Sequence, residues 1–367
     1  MNYSYWEIKS WFTNVDFAII GSGIVGLSTA LHLKSKYPKS NILILEKGQL
    51  PNGASTKNAG FACFGSLSEI SSDLKNHSIL EVVDLVEKRW NGLSLLRQIL
   101  GDKNIDFKQL GGYELFDNDS DLFEDCTPKM TEINQYLKPL FKEDVFTITR
   151  NNFNFTNVKS QLIHNKFEGQ IDTGKMMENL LQKVQSLGVK ILNNADVSYI
   201  DDFGTVSLAN NFSFQSNKII IATNGFANQF LDEDLQPARA QVLITQPIKN
   251  LHIKGTFHLD EGYYYFRNID NRILLGGGRN LDFKTEETHE FGTTELIQQK
   301  LESLLKEVIL PKQEVEITHR WSGIMGVGEQ KKVIVKQVSN NVYCGVRLGG
   351  MGIAIGSLIG KEIAELV

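Results

Sequence analysis

Cysteine is scarce. Cys63, Cys126 and Cys344 are the only three in 367 residues, widely spaced and without a CxxC pair. That excludes a disulfide framework and fits reduced thiols. No run of about 18 apolar residues occurs, which excludes a membrane-spanning helix. An excess of basic charge is also missing, since 38 Lys and Arg stand against 43 Asp and Glu for a net charge of −5. Such a chain lacks the basic face that a large nucleic-acid footprint needs. The opening MNYSYWEIKSWF has no basic segment leading into an apolar one, so no secretory signal is read there and a cytoplasmic protein is expected. With 7 prolines, no Pro- or Ser-rich linker divides the chain, and no repeat is visible.

What is present is an ordinary globular composition, 41% hydrophobic and 22% charged. At this length a chain buries roughly three quarters of its extended surface, enough for two domains without a staple. Residues 15–20 form a mostly apolar run ending at a glycine, as a buried parallel strand requires. Residues 24–33 carry Ile24, Leu27 and Leu31 at helical spacing, and 41–46 (NILILE) read as a second buried strand. Strand, helix and strand make a βαβ unit with a right-handed crossover. Residues 80–100 predict one or two amphipathic helices. The stretch 105–157 differs, with short alternating runs at 113–116 and 145–149, many Asp and Asn, and few helical signals. A helix over 172–188 and strands over 189–192 and 218–223 follow, the last after a hairpin at Asn210-Asn211. Antiparallel strands are expected over 242–246, 263–267 and 272–275, the last two joined by a turn at Asp270-Asn271. A helix over 295–308, a strand over 341–345, a Gly-rich turn and a helix over 353–366 close the chain.

Gly21-Ser22-Gly23-Ile24-Val25-Gly26 is a G-x-G-x-x-G motif between a strand and a helix, with Glu46 20 residues beyond its last glycine. Gly21 permits a tight turn, Gly23 lets the backbone approach a pyrophosphate, and Gly26 lets helix and strand pack closely. The pyrophosphate meets unpaired N–H groups at the helix start. Glu46 would accept from a ribose diol. An ADP moiety is therefore expected, with NAD and FAD both open on this unit alone.

Gly53-Ala54-Ser55-Thr56-Lys57-Asn58-Ala59-Gly60-Phe61 follows within one loop. It resembles the "GAS-x-x-N-x-G" segment of the D-amino acid oxidase family of flavoproteins, which includes glycine oxidase, sarcosine oxidase and D-amino acid dehydrogenase. Glu168-Gly169-Gln170-Ile171-Asp172, Ile221-Ala222-Thr223-Asn224-Gly225, Ala238-Arg239-Ala240-Gln241-Val242-Leu243, residues 263–278, Arg320-Trp321-Ser322-Gly323 and Gly349-Gly350-Met351-Gly352 recur in family order. Ser4-Tyr5-Trp6-Glu7 is similar to the branch acting on glutamylated polyamines.

The resemblance implies an α/β fold in which a Rossmann-like FAD-binding domain of the glutathione reductase type is interleaved with an α+β antiparallel-sheet substrate domain. The expected division is 1–85, 160–235 and 320–367 for FAD, and 86–159 and 236–319 for substrate. Besides the glycine motif, Glu46 and Lys47, it implies Ala54, Ser55, Thr56, Asn58, Ala59, Gly60 and Phe61 along the ribityl chain and flavin edge. Val197 would contact the adenine side, and Ala222, Thr223, Asn224 and Gly225 would cover the dinucleotide. Arg347 and the turn Gly349, Gly350, Met351 and Gly352 would bring a positive helix start to the flavin C2 carbonyl. No cysteine lies near Trp321 and no histidine within 55–61, so non-covalent FAD is expected.

The reaction so implied oxidises the C–N bond of an amine or amino acid by hydride transfer to flavin N5, giving an imine that hydrolyses. The nitrogen lone pair drives it, so no strong protein base is required. Strand alternation would put Tyr263, Tyr265 and Arg267 on one face as a substrate wall, with a phenol and a guanidinium for a polar tail. The family's carboxylate-clamping arginines are replaced at Ile324-Met325 and Gly350, with Arg347 three residues off. A bidentate clamp is hard to substitute. A secondary amine with a longer tail is therefore favoured over a small free amino acid. Leu274 stands where sarcosine oxidase has an oxygen-activating lysine, which tilts toward a dehydrogenase; oxygen, a quinone or another redox partner would take the electrons. Cys63 is read as a small buried filler, and 286–290 (EETHE) as a solvated loop. An RNA-modifying flavoprotein acting on an aminomethyl base and an NAD-linked dehydrogenase are the alternatives.

Overall fold

The computed structural model describes residues 3–367 and contains two large sheets. The first is built on Val15–Ile20, which pairs in parallel with Ile42–Leu45 on one side and Ser213–Ile221 on the other. Lys190–Leu192 and Val342–Val346 extend it in parallel, and Ile334–Gln337 closes one edge antiparallel. All four residues of Ile42–Leu45 are buried, which is why that run reads as continuously apolar. Helix Ile24–Lys36 packs against helix Gly352–Leu366, which in turn packs against helix Ile79–Leu100.

The second sheet has eight strands in the order Ile317–Val327, Gln236–Thr245, Arg272–Gly277, Tyr264–Ile269, Thr256–Leu259, Gly112–Leu115, Gln161–Asn165 and Phe146–Arg150. All its pairs are antiparallel except Thr256–Leu259 with Gly112–Leu115. Its two faces follow from period-2 alternation. Phe257, Phe266, Leu275 and Leu243 stand opposite one another on successive strands and pack under helix Glu295–Leu304. The next register row faces the other way, toward the segment that follows the glycine motif.

The expected βαβ opening, the 210–211 hairpin, the 270–271 turn and the closing strand and helix are all present. Three differences stand out. Residues 130–141 are a helix, with Ile133, Leu137 and Phe141 buried four residues apart and Pro139 inside it. The strand expected over 242–246 runs from Gln236 to Thr245, because Ile317–Val327 pairs along its whole length. The boundaries expected at 160 and 320 cut this sheet, since 161–165 and 320–327 belong to it. Gln161–Asn165 pairs with both the preceding Phe146–Arg150 and the distant Gly112–Leu115, and Ile317–Val327 with the distant Gln236–Thr245.

Candidate active site

At the end of the first strand, Gly21 turns with φ +103°, where a side chain would be strained, and Gly26 lies against the Gly21 carbonyl so closely that a Cβ would collide. The helix that begins at Ile24 has no side-chain cap from Gly23. Ile24 N instead donates to Ser55 Oγ at 3.0 Å. Glu46 is buried and folds its carboxylate back, accepting from Ser22 N at 3.1 Å, Ser22 Oγ at 2.6 Å and Gly48 N at 2.9 Å. Val25 is buried in the helix. Lys47 points outward to Asp196 at 3.1 Å, and Val197 is buried beneath the sheet. Across the strand end, Thr223 Oγ1 is buried without a partner among the described residues, and Asn224 Oδ1 accepts from Leu348 N at 3.2 Å. Gly225 packs against the Met325 carbonyl.

The loop after Glu46 is sewn to the second sheet. Asn58 Oδ1 accepts from Gly60 N (2.9 Å) and Thr173 Oγ1 (2.7 Å), while its Nδ2 donates to Ser55 O (2.8 Å) and Ala54 O (3.2 Å). Thr56 Oγ1 donates to Pro51 O at 2.7 Å, and Trp321 Nε1 donates to Lys57 O at 2.9 Å. Arg267 donates through Nε to Ala59 O and through Nη2 to Ile171 O at 3.0 Å. Residues 54–58 remain half-buried with one side open, whereas Ala59 and Gly60 are buried.

Facing this loop is one register row, Glu114, His258, Tyr265, Gly276, Val242 and Trp321, crossing six strands. Phe61 meets His258 and Tyr265 edge to face, with centroids 5.3 and 5.5 Å away. Ala59, Phe61, Val242, Leu274 and Tyr265 form an apolar cluster there. Burial pushes the Tyr265 phenol up to about 12, so it is a neutral donor at physiological pH.

The substrate wall expected from alternation is not built as read. Tyr263 precedes the strand in a helical conformation, 37% exposed, with its carbonyl accepting from Gly278 N. It therefore does not share a strand face with Tyr265. Arg267 does share that face, but its guanidinium is buried on main-chain carbonyls and burial lowers its pKa to about 10. Arg347 also has other partners: Nη1 donates to Asp234 Oδ2 (2.7 Å) and Asp234 O (2.8 Å), and Nε to Lys332 O (2.8 Å). Gly349 and Gly352 have open space where a Cβ would be, Gly350 is exposed, and helix Gly352–Leu366 starts at Met351 without a side-chain cap. Met351 Sδ lies 3.9 Å from Cys63 Sγ. Cys63 is buried as expected, with its thiol pushed up by burial.

The EETHE segment needs a correction at Glu286 alone, since Glu287, His289 and Glu290 are exposed as expected. Glu286 is fully buried and bidentate to Arg239 at 2.8 and 2.9 Å, with Gln241 Nε2 also donating at 2.9 Å. Its acidic neighbours made the segment read as solvated. Glu114 lies in the alternating run at 113–116 and His258 in 256–259, and nothing local to either run marks these two side chains as functional. Glu168 was quoted for its family segment and given no role.

Two kinds of likeness bear on this arrangement. The family model described as FAD dependent oxidoreductase (DAO) matches residues 16–366. Gamma-glutamylputrescine oxidoreductase of Escherichia coli is 22% identical, with 96% of this chain and 83% of that protein covered. Among solved structures, glycine oxidase from Geobacillus kaustophilus superposes with a TM-score of 0.76 at 17% identity, covering 96% of this chain and 94% of that one. Iminodiacetate oxidase from a Chelativorans species also gives 0.76 at 17% identity, covering 95% and 94%. At such identity the structural likeness is one of fold. The family match spans nearly the whole chain, and the chain belongs to the DAO family of FAD-dependent oxidoreductases.

Proposed function

We propose that this protein oxidises the C–N bond of a secondary amine bearing a longer tail, with FAD held non-covalently. The observation that carries the substrate choice is the engagement of the buried arginines around the site. Arg267 holds Ala59 and Ile171 carbonyls, Arg347 holds Asp234, and Arg89 donates to Phe64 O at 2.9 Å. Arg267 and Arg347 present no free fork to a substrate carboxylate, the contact that fixes a small amino acid, whereas Arg89 is held through Nη1 alone and its Nε has no partner among the described residues. One relative is named for gamma-glutamylputrescine, a tailed substrate, which supports this side of the choice. Other relatives are named for glycine and iminodiacetate, which keeps the small-acid reading worth testing.

The residues fit FAD. The helix start at Gly23-Ile24, whose Ile24 N is met by Ser55 Oγ, the tight turn that only glycine allows at Gly21 and Gly26, and the Thr223 hydroxyl, unpartnered among the described residues, make a polar cradle suited to a pyrophosphate. Ser22, Val25, Glu46 and Lys47 would complete the nucleotide end, with Val197 behind it and the Ala222–Gly225 turn over it. Ser55, Thr56, Asn58, Ala59 and Gly60 would line the rest. Met351 and the open side of Gly349, Gly350 and Gly352 would bring the last helix start near the ring. Bound FAD supplies the acceptor for the hydride that leaves the carbon beside nitrogen. The chain's own share is to orient that carbon against Phe61 and Tyr265, to keep water out with Val242, Leu274 and Trp321, and to receive the amine uncharged. The imine that forms is then hydrolysed.

Two measurements on purified protein test this. Acid precipitation should leave the yellow flavin in the supernatant; flavin in the pellet contradicts non-covalent binding. Under anaerobic conditions, long-tailed secondary amines and glutamylated polyamines should bleach the visible band faster than the small amino acids sarcosine, glycine or D-amino acids. The opposite order returns the small amino acids and makes an arginine rearrangement necessary. Readmitting oxygen then separates an oxidase from a dehydrogenase that passes electrons to a quinone or another redox partner.

A further inference from the structure

The buried Glu168–His258 pair is not used in the account above. Glu168 sits in the turn between Gln161–Asn165 and Gly169–Gln170. Its Oε2 accepts from His258 Nε2 at 2.8 Å and from Thr256 Oγ1 at 2.9 Å, and its Oε1 accepts from Asn165 Nδ2 at 3.4 Å. Gly112 leaves the room: a Cβ there would strike the Glu168 carboxylate. Cys63 Sγ joins the pair, all three groups lying within 4.8 Å of one another and buried. A satisfied core histidine would have both ring nitrogens paired. Here Nε2 is taken by Glu168, the one hydrogen bond that the ring makes among the described residues, so Nδ1 is left over. With the carboxylate accepting from Nε2–H, the tautomer assigned from this network leaves Nδ1 as a lone-pair acceptor.

The surroundings set its basicity. Glu168 faces the ring from its turn, Glu114 from the neighbouring strand, and Glu69 from helix Leu67–Asp73. Tyr265 stands opposite on the other neighbour, and the Cys63 thiol lies alongside. Arg89 is turned toward Phe64 O and Glu69 behind them, and Lys331 pairs with Asp73 and Glu69. Burial by itself lowers the His258 pKa, but Glu168 first, then Glu114 and Glu69, reverse this and hold it above the ordinary 6.5. Phe61, in contact with the ring, belongs to the loop assigned to the flavin edge, so the pair borders the space assigned to the amine.

We propose that His258, fixed by Glu168 through Nε2, takes up through Nδ1 the proton that a substrate ammonium loses before oxidation. The inference rests on the amine-oxidation reading. In the step the ammonium N–H bond breaks, the proton moves to Nδ1, and the electron pair stays on the amine nitrogen. The imidazolium so formed is balanced by Glu168, and no oxidant is needed. Alkylammonium groups have pKa values of about 10 in water, so a base raised above an ordinary histidine narrows the gap it must bridge.

The test uses the flavin-loaded enzyme with histidine selectively labelled with nitrogen-15. The resonances absent from His258→Asn should titrate above 6.5 in the parent and move to lower pH in Glu168→Gln. Anaerobic bleaching followed against pH should show one limb at the same position for two amines of different basicity. His258→Asn should lose that limb and bleach roughly 100-fold more slowly at neutral pH; Glu168→Gln should shift the limb downward. An unchanged limb in His258→Asn, or a limb that follows each amine's own pKa in the parent, overturns the proposal and leaves amine oxidation standing. Flavin that no amine bleaches overturns both. Should His258→Asn not fold, the two-amine comparison in the parent and the Glu168→Gln profile decide.

Discussion

Arg267 and Glu286 show how neighbours, rather than residue type, decide what a charged side chain does. On its strand Arg267 faces the site, as alternation requires, yet the carbonyls of Ala59 and Ile171 reach its nitrogens first. It ties the loop of Ala59 and Gly60 to the second sheet. Charge-assisted hydrogen bonds contribute about 1.5–3 kcal/mol each, so Arg267→Met should weaken FAD retention by tenfold or more. Fluorescence titration of the apoprotein with FAD measures this, and unchanged affinity would show that the loop does not need the arginine. Glu286 is buried against Arg239, and breaking a buried pair by removing one partner costs about 3–5 kcal/mol. Glu286→Ala should lower the denaturation midpoint accordingly; a neutral result would contradict the buried pairing. His258 adds a pH-dependent part. Because its pKa is raised on folding, its stabilising contribution is complete below about 6.5 and is lost as pH rises through the folded value. Glu168→Gln should remove that component of the stability–pH curve, measurable by denaturant titration across neutral pH.

At the scale of elements, the parallel half was legible, while in the antiparallel half the strands around 242–246, 263–267 and 272–275 were legible and Thr256–Leu259 and Gln161–Asn165 were not. A strand such as Ile42–Leu45, buried on both sides, announces itself as an unbroken apolar run, and the glycine spacing fixes the turn beyond Val15–Ile20. Helix Met130–Phe141 was missed although Ile133, Leu137 and Phe141 keep helical spacing, since Pro139 and flanking polar residues masked the period. Strand Thr256–Leu259 has only four residues; one partner, Tyr264–Ile269, follows at once, but the other, Gly112–Leu115, lies far away in sequence. His258 therefore stayed out of view while the nucleotide loop was in plain sight. The turn at Gly26 gives the sharpest test of an element. Gly26→Ala places a methyl against the Gly21 carbonyl, so strand and helix must separate. The variant should purify colourless or with strongly reduced flavin content by absorbance; full loading would show that the turn relaxes without cost.

Over the whole molecule, the first sheet and the second meet at the loop 53–64, and the site assigned to amine and flavin lies between them. Membership of an FAD-dependent family removes the NAD-linked alternative, and nothing in the site favours the RNA-modifying one. No helix among the described residues is long and apolar enough to cross a membrane. A ligand bridging both sheets should stabilise them together. FAD at 100 times its dissociation constant adds about 2.7 kcal/mol, and the unfolding midpoint should rise with free FAD as one transition. Two transitions, only one of them FAD-sensitive, would contradict a shared site.

The central claim is that neither Arg267 nor Arg347 waits for a substrate carboxylate. Its most direct test is the visible spectrum of the oxidised, flavin-loaded enzyme titrated with small aliphatic carboxylates. With Arg267 and Arg347 held as described, the flavin band should show no saturable change. A saturable perturbation that disappears in Arg347→Lys or Arg267→Lys would contradict the account and restore a small amino acid as the substrate.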